Sequence, residues 1–276
     1  MSCLTCPFCQ SANNDSAKFC VSCGAKLPER KTDPVTGEVI AATAAAKPIF
    51  GAAARKARIE EIVSPDAIIS DRAYNAVIAG VLLWGIAVNF LLCKTVGNVF
   101  EHINPVLFYI LYAVLAFGGI FLTARSNKPA LSFVGYNMVV VPFGLVISTL
   151  VEHYTQIDPS IVTDAFLYTM LVAVGMMAVV MIAPQLFSKL GGALGAVLIG
   201  LILCEVVLLI FRVEQTWIDW LFAGLFGLFI GYDLYRSQQY PKTLDNAVDS
   251  ALDLYLDFAN LFIRILRILA ASKDSK

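Results

Sequence analysis

Five of the seven cysteines in the chain fall within its first 23 residues, and their spacing is that of metal ligands. Two Cys-x2-Cys pairs stand ten residues apart, namely Cys6 with Cys9 and Cys20 with Cys23. A tight turn at each pair aims two thiolates at one ion, and two such turns supply the closed tetrahedral sulfur shell of structural zinc. We therefore predict a zinc ribbon over residues 1–27, with these four cysteines as its ligands and no open position for catalysis.

The alternative chemistry for this cysteine cluster is a redox or disulfide function. Residues 1–30 contain no apolar run of the kind that forms a secretory signal peptide, so a reducing compartment and a metal are favoured. Cys3 also stands in ligand spacing with Cys6 and is a spare thiol, but Cys6 is preferred because Cys-Pro-x-Cys is the usual form of such a turn. The ribbon would either dock a cytoplasmic protein or serve only as a folded cap.

The last apolar segment, residues 246–270, carries acids and arginines that could line an ion path. At about 100° per residue, the polar side chains fall within one arc of about 120°, and leucine, isoleucine and aromatic residues fill the other faces. The stripe consists of Asp245, Asp249, Asp253, Asp257, Asn260, Arg264 and Arg267. An ionisable side chain that faces lipid costs at least about 2.5–3.5 kcal/mol, which favours a central helix. The alternatives are a surface amphipathic helix, or buried ion pairs that only fix the packing.

Asp257 lies about half-way along this segment, one turn after Asp253, and Asp233 near the end of the preceding segment is its natural partner. Two carboxylates within hydrogen-bonding distance cannot both ionise, so they would share a proton and titrate as a unit. Such a pair is a pH-sensitive lock, closed when protonated and loosened when charged, and it offers oxygen ligands to calcium. Arg125 or Arg236 could compete for Asp233 as a salt-bridge latch.

Helices that cross a membrane must position these residues. The chain is 58% hydrophobic and 15% charged, with a mean hydropathy of +0.74, whereas a soluble domain is about 45–50% apolar and about 25% charged. A net charge of -1 gives no reason to expect nucleic acid as a partner. Seven apolar segments approach the roughly 20 residues that a span needs, near 73–93, 104–124, 130–151, 161–183, 191–211, 217–235 and 246–270.

These segments predict an all-α fold, a seven-transmembrane helical bundle with a central last helix, preceded by the zinc ribbon. The membrane domain covers 73–270, a linker with one possible short helix covers 28–72, and a tail covers 271–276. Lys and Arg are more frequent in the loops after the second, fourth and sixth segments, so the positive-inside rule places the N-terminus in the cytoplasm. Parity then places the C-terminus outside, although its lysines oppose this mildly.

The C-terminal part of the chain resembles the Bax inhibitor-1 family of membrane proteins. The resemblance rests on Tyr232-Asp233 and on DNAVDSALDLYLDFANLFIRILRIL at 245–269, in which the Leu-Tyr-Leu-Asp and Asn-Leu-Phe steps are most specific. Weaker similarity is found in DAFLYT at 164–169 and FSKLGGALGAVLIGLIL at 187–203. It covers roughly residues 70–270, and the zinc ribbon lies outside the family pattern.

The resemblance implies a seven-helix bundle with the last helix at its centre, acting as a pH-sensitive calcium leak with a di-aspartyl sensor on the last two helices. Asp257 would be the aspartate of the last helix, and Asp233 is preferred as its partner. An alternative alignment puts Arg236 at the partner position, which would turn the pair into an ion pair. The arginine that latches the pair in the family would be Arg125.

We therefore predict a pH-sensitive calcium leak channel in a bacterial cytoplasmic membrane, with structural zinc as cofactor and lipid and calcium ions as partners. The alternative is a membrane scaffold that recruits a cytoplasmic protein through its zinc ribbon. An enzyme, and hence a small-molecule substrate, is not expected, because intramembrane aspartyl proteases carry their second aspartate in Gly-x-Gly-Asp and Asp257 follows Leu-Tyr-Leu. Ion selectivity, oligomeric state and the partner of the ribbon are left open.

Overall fold

The computed structural model describes most of the chain from Pro65 onward and a few short stretches before it. The described residues are 4–5, 12–13, 31–32, 39–40, 58, 63, 65–101, 103–213 and 216–274. Contacts between residues divide the chain into two units, Met1–Ile69 and Ser70–Lys276.

Among the described residues of the first unit, four two-residue strands form two antiparallel pairs. β1 (Leu4–Thr5) pairs with β2 (Ala12–Asn13), and β3 (Lys31–Thr32) pairs with β4 (Val39–Ile40). A short 3-10 helix follows at Pro65–Ala67. The four predicted zinc ligands and most of the predicted linker lie outside the described residues.

The described residues of the second unit form seven α-helices. They are α1 (Asp71–Thr95), α2 (Pro105–Arg125), α3 (Pro129–Ile157), α4 (Pro159–Ile182), α5 (Gly191–Ile210), α6 (Thr216–Ser237) and α7 (Leu244–Asp274). Two 3-10 helices, Val99–Glu101 and Pro184–Leu186, lie in the connections. The seven apolar segments of the sequence therefore correspond to seven helices, with boundaries that agree to within a few residues.

Capping residues in the connections fix where several of these helices begin. The side chains of Ser70, Asn104 and Asp158 accept hydrogen bonds from backbone N–H groups in the first turns of α1, α2 and α4, at 3.2, 2.9 and 2.8 Å. Such caps satisfy donors that have no partner within the helix. Proline, whose missing N–H is no loss in the first turn, opens three helices, at Pro105, Pro129 and Pro159.

Within the described part of the chain, six helices are long and apolar enough to cross a membrane, namely α1 to α6. Their outer faces carry many exposed leucine, valine, isoleucine and phenylalanine side chains, as expected where lipid replaces water as the solvent. α5 is the most peripheral of them: Leu194 is its one buried residue, and it packs mainly against α6.

α7 differs from the other six because it is enclosed by the bundle. It packs against α1, α3, α4 and α6, and its pairing with α6 is the most extensive in the protein. Among residues 244–273, only Leu244 and Ser272 are exposed. This central position is the one that the family resemblance implies for the last helix.

Hydrogen bonds at both ends show that α7 runs beside α3 over its whole length. Near the start of both helices, the Ser132 hydroxyl donates to Asp245 Oδ1 at 2.6 Å. At their far ends, the Lys273 ammonium pairs with the Asp158 carboxylate immediately after α3. We call the end of the bundle that contains Ser132 the N-end and the end that contains Asp158 the C-end. α7 therefore extends between the same two ends as α3, which is one of the apolar helices.

Candidate ion pathway along the last helix

Four charged side chains from α6 and α7 lie in the N-end half of the bundle. We call Asp233, Arg236, Asp253 and Asp257 the acid-rich cluster. Arg236 Nη1 lies 3.3 Å from Asp233 Oδ1 on the same helix, and Arg236 Nη2 pairs with Asp253 Oδ2 on α7. Asp233, Arg236 and Asp257 are almost fully buried, at 7%, 5% and 7% exposure. One guanidinium thus links the last two helices through two carboxylates.

Aromatic rings complete the surroundings of Arg236. Its guanidinium carbon lies 5.5 Å from the ring centre of Tyr232 and 5.6 Å from that of Tyr240. Ring faces attract a cation, so the two tyrosines stabilise a buried positive charge that water does not reach. Arg236 is consequently a fixed part of the helix interface.

Asp257 lies one helical turn beyond Asp253 on the same face of α7, because positions i and i+4 are neighbours on a helix. The cluster therefore contains three carboxylates and one guanidinium, an excess of two negative charges if all four groups are ionised.

Of the two predicted latching arginines, the structure brings Arg236 to Asp233. Arg125 lies at the end of α2, is exposed, and holds its guanidinium 5.3 Å from the ring centre of Phe121 on its own helix. α2 itself packs mainly against α3. Arg236 is thus the arginine that pairs with Asp233 in this structure, and a latching role for either arginine stays a prediction.

At the C-end, a second group of charges surrounds the two arginines of α7. We call Glu205, Asp219, Arg264 and Arg267 the arginine cluster. Arg264 holds Glu205 with two parallel bonds, Nη1–Oε1 at 2.6 Å and Nη2–Oε2 at 2.9 Å, and its Nη1 also donates to Asp219 Oδ1 at 2.7 Å. Arg267 Nη1 lies farther from both acids, at 3.4 Å from Glu205 and 3.3 Å from Asp219. Two acids and two arginines balance.

Asp219 was missed by the sequence reasoning. It lies in the first turn of α6, where an acid next to a loop is ordinarily a solvated helix start. In the structure it is 4% exposed. Asp219 and Arg264 are far apart in the sequence, so no sequence pattern predicted their contact.

The position of α7 decides between two interpretations of its polar stripe. Because the helix is enclosed on all sides, it is not a surface amphipathic helix. The stripe instead runs inside the bundle from Asp245, past the acid-rich cluster and the half-buried Asn260, to the arginine cluster. Packing by ion pairs and an ion pathway both fit this placement.

In the described ranges from Pro65 to residue 274, no three His, Cys, Asp or Glu side chains are arranged to hold a metal ion. The predicted zinc ligands Cys6, Cys9, Cys20 and Cys23 fall outside those ranges, so the zinc ribbon stays a prediction.

Comparison with known proteins extends the resemblance over most of the chain. Residues 68–274 match the family described as "Inhibitor of apoptosis-promoting Bax1". "Bax inhibitor 1" of Schizosaccharomyces pombe is 38% identical over 137 residues, which are 48% of this chain and 49% of the yeast protein. "Protein lifeguard 4" of Mus musculus is 29% identical over 203 residues, 72% of this chain and 83% of the mouse protein. The chain thus spans about half the length of the yeast relative.

Proposed function

The chain belongs to the Bax inhibitor-1 family, and we propose that it is a pH-sensitive calcium leak channel in which all seven helices cross the membrane. Its acid-rich cluster would be the sensor, and the polar stripe of α7 the path. The observation that carries the proposal is the excess of buried acids at the interface of the last two helices, with Arg236 bound to both sides.

A full crossing by α7 is supported by its length and its enclosure. It has 31 residues, more than the roughly 20 that a span requires, and it extends as far as α3. Its charges lie inside the bundle, where they avoid the cost of exposure to lipid. α7 is less apolar than the other six helices, but with its charges enclosed it can still cross the membrane.

The sensor would act through the charge of the acid-rich cluster. At low pH, Asp257 and Asp233 share a proton, so fewer negative charges repel and Arg236 keeps α6 against α7. At high pH that proton leaves, the carboxylates repel one another, and the interface loosens. Carboxylate oxygens are ligands that calcium prefers, so the loosened interface attracts the ion that passes.

The orientation of the chain follows from its basic residues. Those of the loops at the N-end, Arg125, Lys128, Lys189 and Lys242, favour an N-end in the cytoplasm. The N-terminal cysteines would then lie on a reducing side, where Cys6, Cys9, Cys20 and Cys23 would hold a structural zinc ion.

Calcium efflux from proteoliposomes tests the proposal. The parent protein, Asp257→Asn and the control Asp71→Asn, an exposed acid at the start of α1, are compared from about pH 6 to about pH 8. We expect a leak that rises with pH in the parent and in the control, and a leak independent of pH in Asp257→Asn. Unchanged pH dependence in Asp257→Asn would remove the sensor, and no calcium leak from the parent at any pH would contradict the channel.

A further inference from the structure

The arginine cluster lies where the polar stripe of α7 changes sign. From Asp245 to Asp257 the charges of the stripe are acids, and beyond Asn260 they are Arg264 and Arg267. A cation that follows the stripe from the N-end therefore meets two positive side chains before it reaches the C-end. Because Glu205 and Asp219 balance these charges, the arginines would oppose a cation chiefly by occupying the path and forming ion pairs across it, and their charge adds a local electrostatic barrier.

Contacts with α5 and α6 hold the Arg264 side chain in place at this point of the stripe. Its two bonds to Glu205 form the bidentate fork that makes arginine–carboxylate pairs strong and directional. The guanidinium carbon also lies 3.9 Å from the ring centre of Phe222 on α6. Its side chain is 14% exposed, so little water competes for these contacts.

The two acids that hold Arg264 differ in how firmly their own helices are packed. Asp219 is buried on α6, which forms the largest interface with α7. Glu205 is the one charged side chain of α5, the peripheral helix, in which Leu194 is the one buried residue. The fork to Glu205 is therefore the main polar tie between α5 and the central helix.

We propose that Arg264, held by Glu205, closes the C-end of the path against cations, and that release of α5 from Arg264 opens it. This proposal rests on the calcium leak proposed above and adds a second closure to it, separate from the acid-rich cluster. Arg264 would determine which ions pass, and Glu205 would determine how often the C-end is open.

Thiol labelling tests the closure without any need for a calcium flux. Asn260→Cys places a thiol between the two clusters, in the full chain embedded in lipid nanodiscs, and a membrane-impermeant maleimide reports access. Labelling is read by mass spectrometry on the peptide that carries position 260. We expect Glu205→Gln to raise the labelling rate about tenfold, because loss of a bidentate ion pair shifts an open–closed equilibrium by that order.

Two further variants sharpen the result. Glu101→Gln makes the same chemical change at an exposed acid of the same end, and we expect it to leave labelling unchanged. Arg264→Lys keeps the charge but loses the fork, and we expect an increase smaller than that of Glu205→Gln. It also provides a milder change should Glu205→Gln fail to fold.

The outcomes separate this proposal from the leak itself. Equal labelling rates in Glu205→Gln and its parent would overturn the closure even if a pH-dependent calcium leak exists. A raised rate in a protein that leaks no calcium would support the closure and contradict the channel. A raised rate together with a larger leak at every pH would support both.

Discussion

The two charge clusters of α7 differ in composition, and the separate tasks proposed for them rest on this difference. In the acid-rich cluster, one guanidinium pairs with two carboxylates, and a third carboxylate, that of Asp257, lies one helical turn beyond Asp253. In the arginine cluster, two guanidiniums and two carboxylates balance, with three bonds from Arg264 between 2.6 and 2.9 Å. An unbalanced buried cluster responds to protons and cations, whereas a balanced one holds helices together.

Removal of the single cation from the unbalanced cluster has the largest expected effect. Arg236→Ala leaves the buried carboxylate of Asp233 on α6 and the half-buried carboxylate of Asp253 on α7 without their shared partner. We expect a loss of about 3–5 kcal/mol in stability, measured as a lower thermal unfolding temperature in detergent micelles. Arg125→Ala, at an exposed arginine of the same end, serves as control and is expected to change stability by less than about 0.5 kcal/mol.

Substitution of one arginine in the arginine cluster should destabilise the protein less, because the other arginine remains beside the two acids. Arg264→Gln loses three charge-assisted bonds but leaves Arg267 near both acids, and we expect a loss of about 1.5–3 kcal/mol. Arg267→Gln should cost less, since its contacts are 3.3–3.4 Å long. A larger effect of Arg267→Gln in the same unfolding assay would contradict the assignment of Arg264 as the principal cation.

The smallest expected effect is the loss, at low pH, of the stability that the Lys273–Asp158 pair contributes at the C-end. The hydrogen bond from Lys273 lowers the pKa of the Asp158 carboxyl from 3.8 to about 2. A lowered pKa in the folded state stabilises the protein above pH 4 or so, and this stabilisation is lost as the pH falls from about 4 to about 2. Unfolding temperatures of the parent and Lys273→Met should therefore converge over that window. A constant difference between them would show that the pair does not titrate as described.

Most of the fold was accessible from the sequence because lipid imposes a strong pattern. Each apolar run of about 20 residues corresponds to a helix, and the family resemblance is confirmed over residues 68–274. Among the described residues, six helices are confirmed as long and apolar enough to cross a membrane. The crossing by α7 stays a proposal, because this helix carries more charged residues than an ordinary membrane span. Its periodic stripe, and not its hydropathy, indicated that it is buried.

The site was less accessible, because it depends on contacts between residues far apart in the chain. The stripe of α7 identified Asp253 and Asp257 as buried candidates, but the sequence left the partner of Asp257 open between Asp233 and Arg236. The structure adds the pairing of Arg236 with Asp233 and Asp253. Asp219 had no periodic signal of its own, since only the packing of α5, α6 and α7 brings it to Arg264.

The most direct test of this division is the calcium leak of Asp257→Asn and Glu205→Gln measured side by side against pH. If the acid-rich cluster is the sensor and the arginine cluster a closure, Asp257→Asn loses the pH dependence. Glu205→Gln then keeps the pH midpoint of the parent and leaks more at every pH. A shift of the midpoint in Glu205→Gln, or an intact pH response in Asp257→Asn, would contradict the assignment of separate tasks to the two clusters.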